Sequence, residues 1–372
     1  MSDSSIQITG GADPRPAAAR LDDPARHAQY DPGGMHAAIG SLSEQLREAP
    51  GLADQVNWTA FKPTTPAGVC LCGMGGSAIG GDLARAYWEH ESPVPFLIVR
   101  NDHLPEFINR FWLVIASSYS GNTEETLSAT DEARRRGCRI LAIATGGGVE
   151  QMASQYGWPM IKLPGGFSPR AALGYSFGPV MLALARWGIV PDRTDLLKMS
   201  ADFLEQRSQF YDQKRPLTDN AAKQVAAVLE GHHTCVYGSS GSTDVLAYRF
   251  KGQLCENAKV PAFANVLPEL NHNELVGMDG YTGGGQLALA VMRSADDTPR
   301  AGIRLDWIVQ RLSARGIPVV SLTASGANRL VRMLSLVQLG DYISYHLAIV
   351  RGCDPTPVAV INDLKSQLDS TR

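Results

Sequence analysis

Residues 69–87, VCLCGMGGSAIGGDLARAY, read as an apolar run that breaks into glycine and serine and then takes up a helical period; residues 234–250, TCVYGSSGSTDVLAYRF, repeat the same order of events. Two copies of one strand, loop and helix unit imply a duplicated domain, with the boundary near residue 190. A length of 372 residues suits two domains of about 150 residues better than one core.

Around the first copy the pattern continues. VPFLIVR, WLVIASSYSG, RILAIATGG and WPMIKLP are short apolar runs, separated by the helix-period segments TEETLSATDEARRRG and QMASQYG. After LGYSFGPVMLALARWGIV and a polar stretch around 191–220, HHTCVYGSSG, QLALAVMRS and IPVVSLTA resume the alternation. Fully apolar strands alternating with helices predict parallel sheets covered on both faces, with the functional loops at the strands' carboxyl ends. Residues 1–30 are rich in Ala, Asp, Pro and Gly without an apolar period, and read as a mobile N-terminal extension.

Lys and Arg number 34 against 37 Asp and Glu, a net charge of −3. No strong field draws such a chain to nucleic acid or an anionic membrane, so neither is an expected partner and a small molecule is. The six cysteines include no Cys-x-x-Cys pair and read as reduced packing residues. No apolar run approaches the roughly 20 residues of a membrane span, and the N-terminus lacks a signal-peptide pattern, so a cytoplasmic location is expected.

Gly73-Met74-Gly75-Gly76-Ser77 between a strand and a helix gathers backbone N–H groups and a positive helix end, which is an anion site. Alone it also fits the dinucleotide pattern G-x-G-x-x-A, or glycines serving a tight turn. The loop SSYSGNTEET shifts the balance: Ser118, Ser120 and Thr123 surround Gly121 at a second helix start. Three hydroxyls offer a phosphate neutral donors, whereas a dinucleotide wants an acidic ribose ligand about 20 residues past the first glycine. A Ser or Thr helix cap would account for one of the three.

The stretches GMGGSAIGGDL, SSYSGNTEETL, LPGGFSPRAALGYSF, CENAKVP, PELNHNELVG and DPTPVAVINDLK follow one another between residues 73 and 365. In them the sequence resembles the sugar isomerase (SIS) domain superfamily, and specifically the bifunctional phosphoglucose/phosphomannose isomerase family. The resemblance implies two tandem SIS domains of doubly wound, flavodoxin-like α/β/α form: 31–190, binding phosphate, and 191–352, followed by a C-terminal helix in 353–372. It implies an aldose–ketose isomerase that interconverts glucose 6-phosphate and mannose 6-phosphate with fructose 6-phosphate, with no cofactor and no metal, at a cleft between the domains. Catalytic groups carry over to Glu256 as base, His272 for ring opening, Arg170, and Lys365; phosphate ligands to Gly76, Ser77, Ser118, Ser120 and Thr123. It also implies a homodimer in which His272 reaches the neighbouring subunit's site. The alternative function is a non-catalytic SIS protein that binds a sugar phosphate as a regulator; an amino-sugar isomerase of the superfamily is a second.

The chemistry asks for such residues. A proton moved between C1 and C2 needs a positioned base, worth typically 10²–10⁴-fold. Glu256 lies about 200° from Leu254 around its helix, away from the Leu246/Phe250/Leu254 stripe, which also suits a solvated glutamate. A fixed guanidinium such as Arg170 would stabilise an enediolate, though an ion pair would also hold it. A histidine near neutrality can shuttle the ring-opening proton; His272 with Glu269 and Glu274 could instead hold a cation.

Overall fold

The computed structural model describes residues 5–11, 13–59, 65–282 and 285–370. Its residues divide into two compact units.

One unit comprises residues 38–206 and 326–334. Its sheet holds β2 (Gly68–Cys72), β3 (Phe96–Val99), β4 (Trp112–Ser118), β5 (Arg139–Ala144) and β6 (Met160–Lys162), all parallel, in the order β3-β2-β4-β5-β6. Every residue of β2 and β4 is buried, as a strand covered on both faces requires. On one face Cys70, Cys72, Val114, Ala116, Ile140 and Ala142 pack against Ala129 and Ala133 of helix Glu124–Arg135 and Val149 and Ala153 of helix Gly147–Tyr156. Counted within the unit the order is 2-1-3-4-5, that of a flavodoxin-like sheet, whose switch point lies between β2 and β4.

The other unit comprises residues 1–37, 207–325 and 335–372. Here β7 (His233–Ser239), β8 (Ala262–Leu267), β9 (Leu287–Arg293) and β10 (Val319–Thr323) are parallel, and β1 (Ile6–Thr9) is antiparallel at the edge, in the order β1-β10-β9-β7-β8. The core joins Cys235, Tyr237, Leu289 and Val291 to Leu305, Ile308 and Leu312 of helix Pro299–Ser313.

The structure departs from the sequence reading at the N-terminus and at the boundary. Residues 1–4 and 12 lie outside the described residues, but the rest of the expected mobile extension is built into the fold. Ile6 pairs with Leu322 and Thr9 with Val319, while Leu21 and His27 are buried. Arg26 donates to the carbonyls of Ile349 and Val350 at 2.8 and 2.9 Å. The boundary near 190 moves because the supposed polar stretch contains helix Thr194–Tyr211, whose Leu197, Ala201 and Leu204 are buried; the division falls inside that helix, between 206 and 207.

The docked N-terminal segment closes over a cluster of three histidines. His27 Nδ1 lies 3.0 Å from the Tyr345 hydroxyl, His36 Nε2 accepts from the Gln213 N–H at 3.3 Å, and His346 Nε2 donates to Tyr211 O at 2.8 Å. Burial holds all three below the usual histidine range. Nearby Lys223 is held low by the same cause and pairs with Asp22 at 2.8 Å. Since the folded histidines resist protons that the unfolded chain accepts below about pH 6.5, stability should be full above pH 7 and fall as pH drops through 6 and 5. Three such groups set an upper slope of about 4 kcal/mol per pH unit. Thermal melts at pH 7 and pH 5 check this: a marked fall in Tm is expected, shallower in His346→Gln, and a flat Tm would contradict it.

Candidate active site

The loops at the carboxyl ends of β2 and β4 meet at the first sheet's switch point. A Cβ on Gly73 would lie 2.8 Å from Ser117 O, so only glycine lets the two backbones approach this closely. Helix Gly75–Trp88 then starts with no side-chain cap at Met74 and no acid in its first turn, which leaves its positive end to a ligand.

Each expected phosphate ligand has a distinct place here. Ser77 is buried, and its Oγ accepts the Tyr119 N–H at 3.0 Å. Ser118, also buried, accepts the Gly121 N–H at 3.1 Å and shares a hydrogen bond with Thr123 Oγ1 at 3.0 Å. Ser120 is exposed and its Oγ accepts the Asn122 N–H at 3.2 Å. A hydroxyl that accepts from the backbone keeps its own proton to donate, so Ser77, Ser120 and one of the Ser118/Thr123 pair can each still donate to a phosphate oxygen. Gly121 holds the turn at φ +74°, where a Cβ would lie 1.7 Å from Gly146 O.

Gly76 brings in Arg170. A Cβ there would come within 2.5 Å of Pro169 O and 3.3 Å of the Arg170 nitrogen, and Arg170 itself is 5% exposed. Sequence reasoning passed over the residue that laces these loops together. Tyr119 O accepts from Thr145 N and Oγ1 at 3.0 and 2.7 Å. Its hydroxyl donates to Pro164 O at 2.8 Å and accepts the Phe167 N–H at 3.2 Å. Its one signal in the sequence is an aromatic between two serines of SSYSG.

In the second unit Glu256 is the last residue of helix Asp244–Glu256, half-buried, with Leu246, Phe250 and Leu254 buried on another face as their period predicts. Lys259 Nζ donates to the Glu256 carbonyl and, at 3.3 Å, to Pro355 O, satisfying an open end of the helix. His272 is exposed, at the end of a short 3₁₀ turn, Glu269–His272, after β8. The acids that could have shared a cation with it are engaged. Glu274 accepts from the Tyr237 hydroxyl at 2.7 Å and from Asn265 at 2.5 Å, and Glu269 accepts from Asn273 at 2.9 Å. Among the described residues, no three His, Cys, Asp or Glu side chains converge as ligands. Lys365 lies on helix Ala359–Ser370, exposed.

Within this unit the chain runs up β7, back down helix Asp244–Glu256, and up β8 beside β7, Thr234 opposite Ala262 and Ser239 opposite Leu267. Glu256 therefore lies at the sheet's amino edge and His272 at its carboxyl edge. The six-residue β8 between them spans roughly 17–20 Å, beyond the combined reach of a glutamate and a histidine.

Two doubly wound sheets, the first with a cluster of hydroxyls at its switch point, together with the matches that follow, place the chain in the class of SIS-domain phosphosugar isomerases. The model of the bacterial phospho-glucose isomerase C-terminal SIS domain matches residues 218–368. The fold is shared with solved structures of glucose-6-phosphate isomerase from Chlamydia trachomatis (TM-score 0.69, 11% identity, 100% of this chain and 89% of that one). It is shared also with the C-terminal domain of glucosamine-fructose-6-phosphate aminotransferase from Francisella tularensis (TM-score 0.66, 15% identity, 86% and 97%). The bifunctional phosphoglucose/phosphomannose isomerase of Caldicellulosiruptor bescii is 38% identical over 90% of this chain and 98% of its own length; that of Aquifex aeolicus is 34% identical over 88% and 99%. The chain belongs to the bifunctional phosphoglucose/phosphomannose isomerase family.

Proposed function

We propose that this enzyme interconverts glucose 6-phosphate and mannose 6-phosphate with fructose 6-phosphate through an enediolate. The observation that carries the reading is the cradle of Ser77, Ser118, Ser120 and Thr123 around an uncapped helix start, with Arg170 packed against Gly76. The cradle grips the phosphate, and Glu256 moves the proton between C1 and C2. Arg170 stabilises the charge that grows on the enediolate oxygen, His272 shuttles the ring-opening proton, and Lys365 is the fourth residue assigned to the chemistry.

Glu256 and His272 at opposite ends of β8 support a homodimer in which His272 serves the neighbour's site. Exposed Phe263 on the edge strand β8, at 60%, and exposed Val276, at 75%, beside the His272 turn supply apolar surface for such an interface. The reaction would sit in the cytoplasm, in glycolysis and gluconeogenesis. All six cysteines are free, as a reducing compartment keeps them, and among the described residues no helix is long and apolar enough to cross a membrane.

Ser120→Ala tests the cradle. Ser120 is exposed and donates its proton to no described residue, so its loss should weaken phosphate binding alone, raising KM for fructose 6-phosphate about tenfold with kcat within about threefold. A fall in kcat at unchanged KM would remove Ser120 from phosphate binding.

A further inference from the structure

We propose that a buried ladder of polar side chains, Arg249, Gln253 and Asn257 against Asp341 and Ser344, is a positioning device that sets where Glu256 points. This rests on Glu256 being the base. Residues 249, 253 and 257 recur every four positions and so share one face of their helix. All five rungs are at least nine-tenths buried, Asn257 and Ser344 completely. Arg249 Nη2 donates to the two Asp341 carboxylate oxygens at 2.8 and 2.7 Å, and Gln253 Nε2 donates to Asp341 Oδ1 at 2.7 Å. Asn257 Nδ2 donates to Ser344 Oγ at 3.0 Å, and that hydroxyl donates to Asp341 O at 2.8 Å.

The partner helix, Arg329–Arg351, is otherwise packed with buried Leu336, Val337, Ile343 and Leu347. Apolar surface would cover these positions at no desolvation cost, since a buried ion pair commonly contributes less than a well-packed hydrophobic replacement. What apolar packing lacks is direction. Hydrogen bonds at fixed spacing forbid the helix to slide or turn, and a slip of one residue would carry Glu256 about 1.5 Å along the axis and 100° around it. The last rung, Asn257, is the residue after Glu256. Lys259, at φ +57°, folds back so that its ammonium holds the Glu256 carbonyl. The backbone of the base is thus fixed from both sides, and the residue itself is only partly buried.

The test is the triple replacement Arg249→Met/Gln253→Met/Asp341→Leu, which removes the upper rungs without stranding a charge. We expect Tm at or above the wild-type value, KM for fructose 6-phosphate within twofold, and kcat lower by about tenfold or more. In a Glu256→Gln background the same triple should cause no further loss, because a base that is absent cannot be misaimed. A Ser344→Ala variant gives a milder probe if the triple fails to fold: kcat down several-fold, again without multiplying the Glu256→Gln loss. Wild-type kcat in a folded ladder variant, or a loss that multiplies in full with that of Glu256→Gln, would overturn the proposal. Wild-type turnover in Glu256→Gln alone would show instead that the base reading has failed, and the ladder's role with it.

Discussion

Replacing Glu256 by glutamine is expected to lower turnover by at least about 10² while affinity for the sugar phosphate stays within a few-fold. The substitution keeps the shape of the side chain and removes only its capacity to take a proton. Glu256 ends a helix whose apolar face is fully packed, and its own side chain is half-exposed, so the variant should fold as the parent does. The steady-state rate of glucose 6-phosphate formation from fructose 6-phosphate, measured with Tm on the same sample, separates loss of chemistry from loss of structure. Turnover within a few-fold of wild type would remove Glu256 from the proton transfer.

Restoration of activity by mixing two inactive chains is the second large effect. Glu256 and His272 of one chain are separated by the length of β8, and the proposed site therefore takes its histidine from the neighbouring subunit. If a partner's His272 completes each site, Glu256→Gln and His272→Ala chains are each nearly inactive alone, yet a mixed dimer holds one site with both residues intact. Random mixing makes about half the dimers mixed, each with one good site of two, so roughly a quarter of wild-type activity should return. Co-expression with two affinity tags isolates the mixed dimers, which by the same count should show about half of wild-type activity. Activity that stays at the parental level in proven heterodimers would mean that His272 does not complete a neighbour's site.

The duplicated unit at 69–87 and 234–250 carried most of the architecture, because strand, glycine-rich turn and helix are each written locally. The hydroxyls proposed to bind phosphate stood out for the same reason: Ser77, Ser118, Ser120 and Thr123 lie where a strand gives way to a helix. What escaped depends on partners far away in the chain. Ile6–Thr9 is four residues long, too short to show a period, and becomes a strand only because residues 319–322 offer it an edge. Ala262–Leu267 is an edge strand with Phe263 exposed, so its apolar alternation is blurred. Helix Thr194–Tyr211 buries a narrow stripe, Leu197, Ala201 and Leu204, among Lys198, Asp202 and Glu205, and its polar majority hid the period. The unit division is invisible locally because one unit is assembled from three separated segments. Tyr119 and the Arg249–Asp341 ladder were missed because a hydrogen-bonded buried side chain leaves no pattern along the chain; only the fold reveals what it holds.

Enediolate isomerisation at C1 and C2 of a hexose 6-phosphate can be followed by incubating the purified protein with fructose 6-phosphate in D2O and reading the products by NMR. Glucose 6-phosphate and mannose 6-phosphate are both expected, each carrying deuterium at C2, because a proton held on Glu256 exchanges with solvent before it returns. Fructose 6-phosphate that binds the protein yet yields neither aldose and takes up no deuterium at C1 would contradict it, and would leave a sugar-phosphate binder in place of an isomerase.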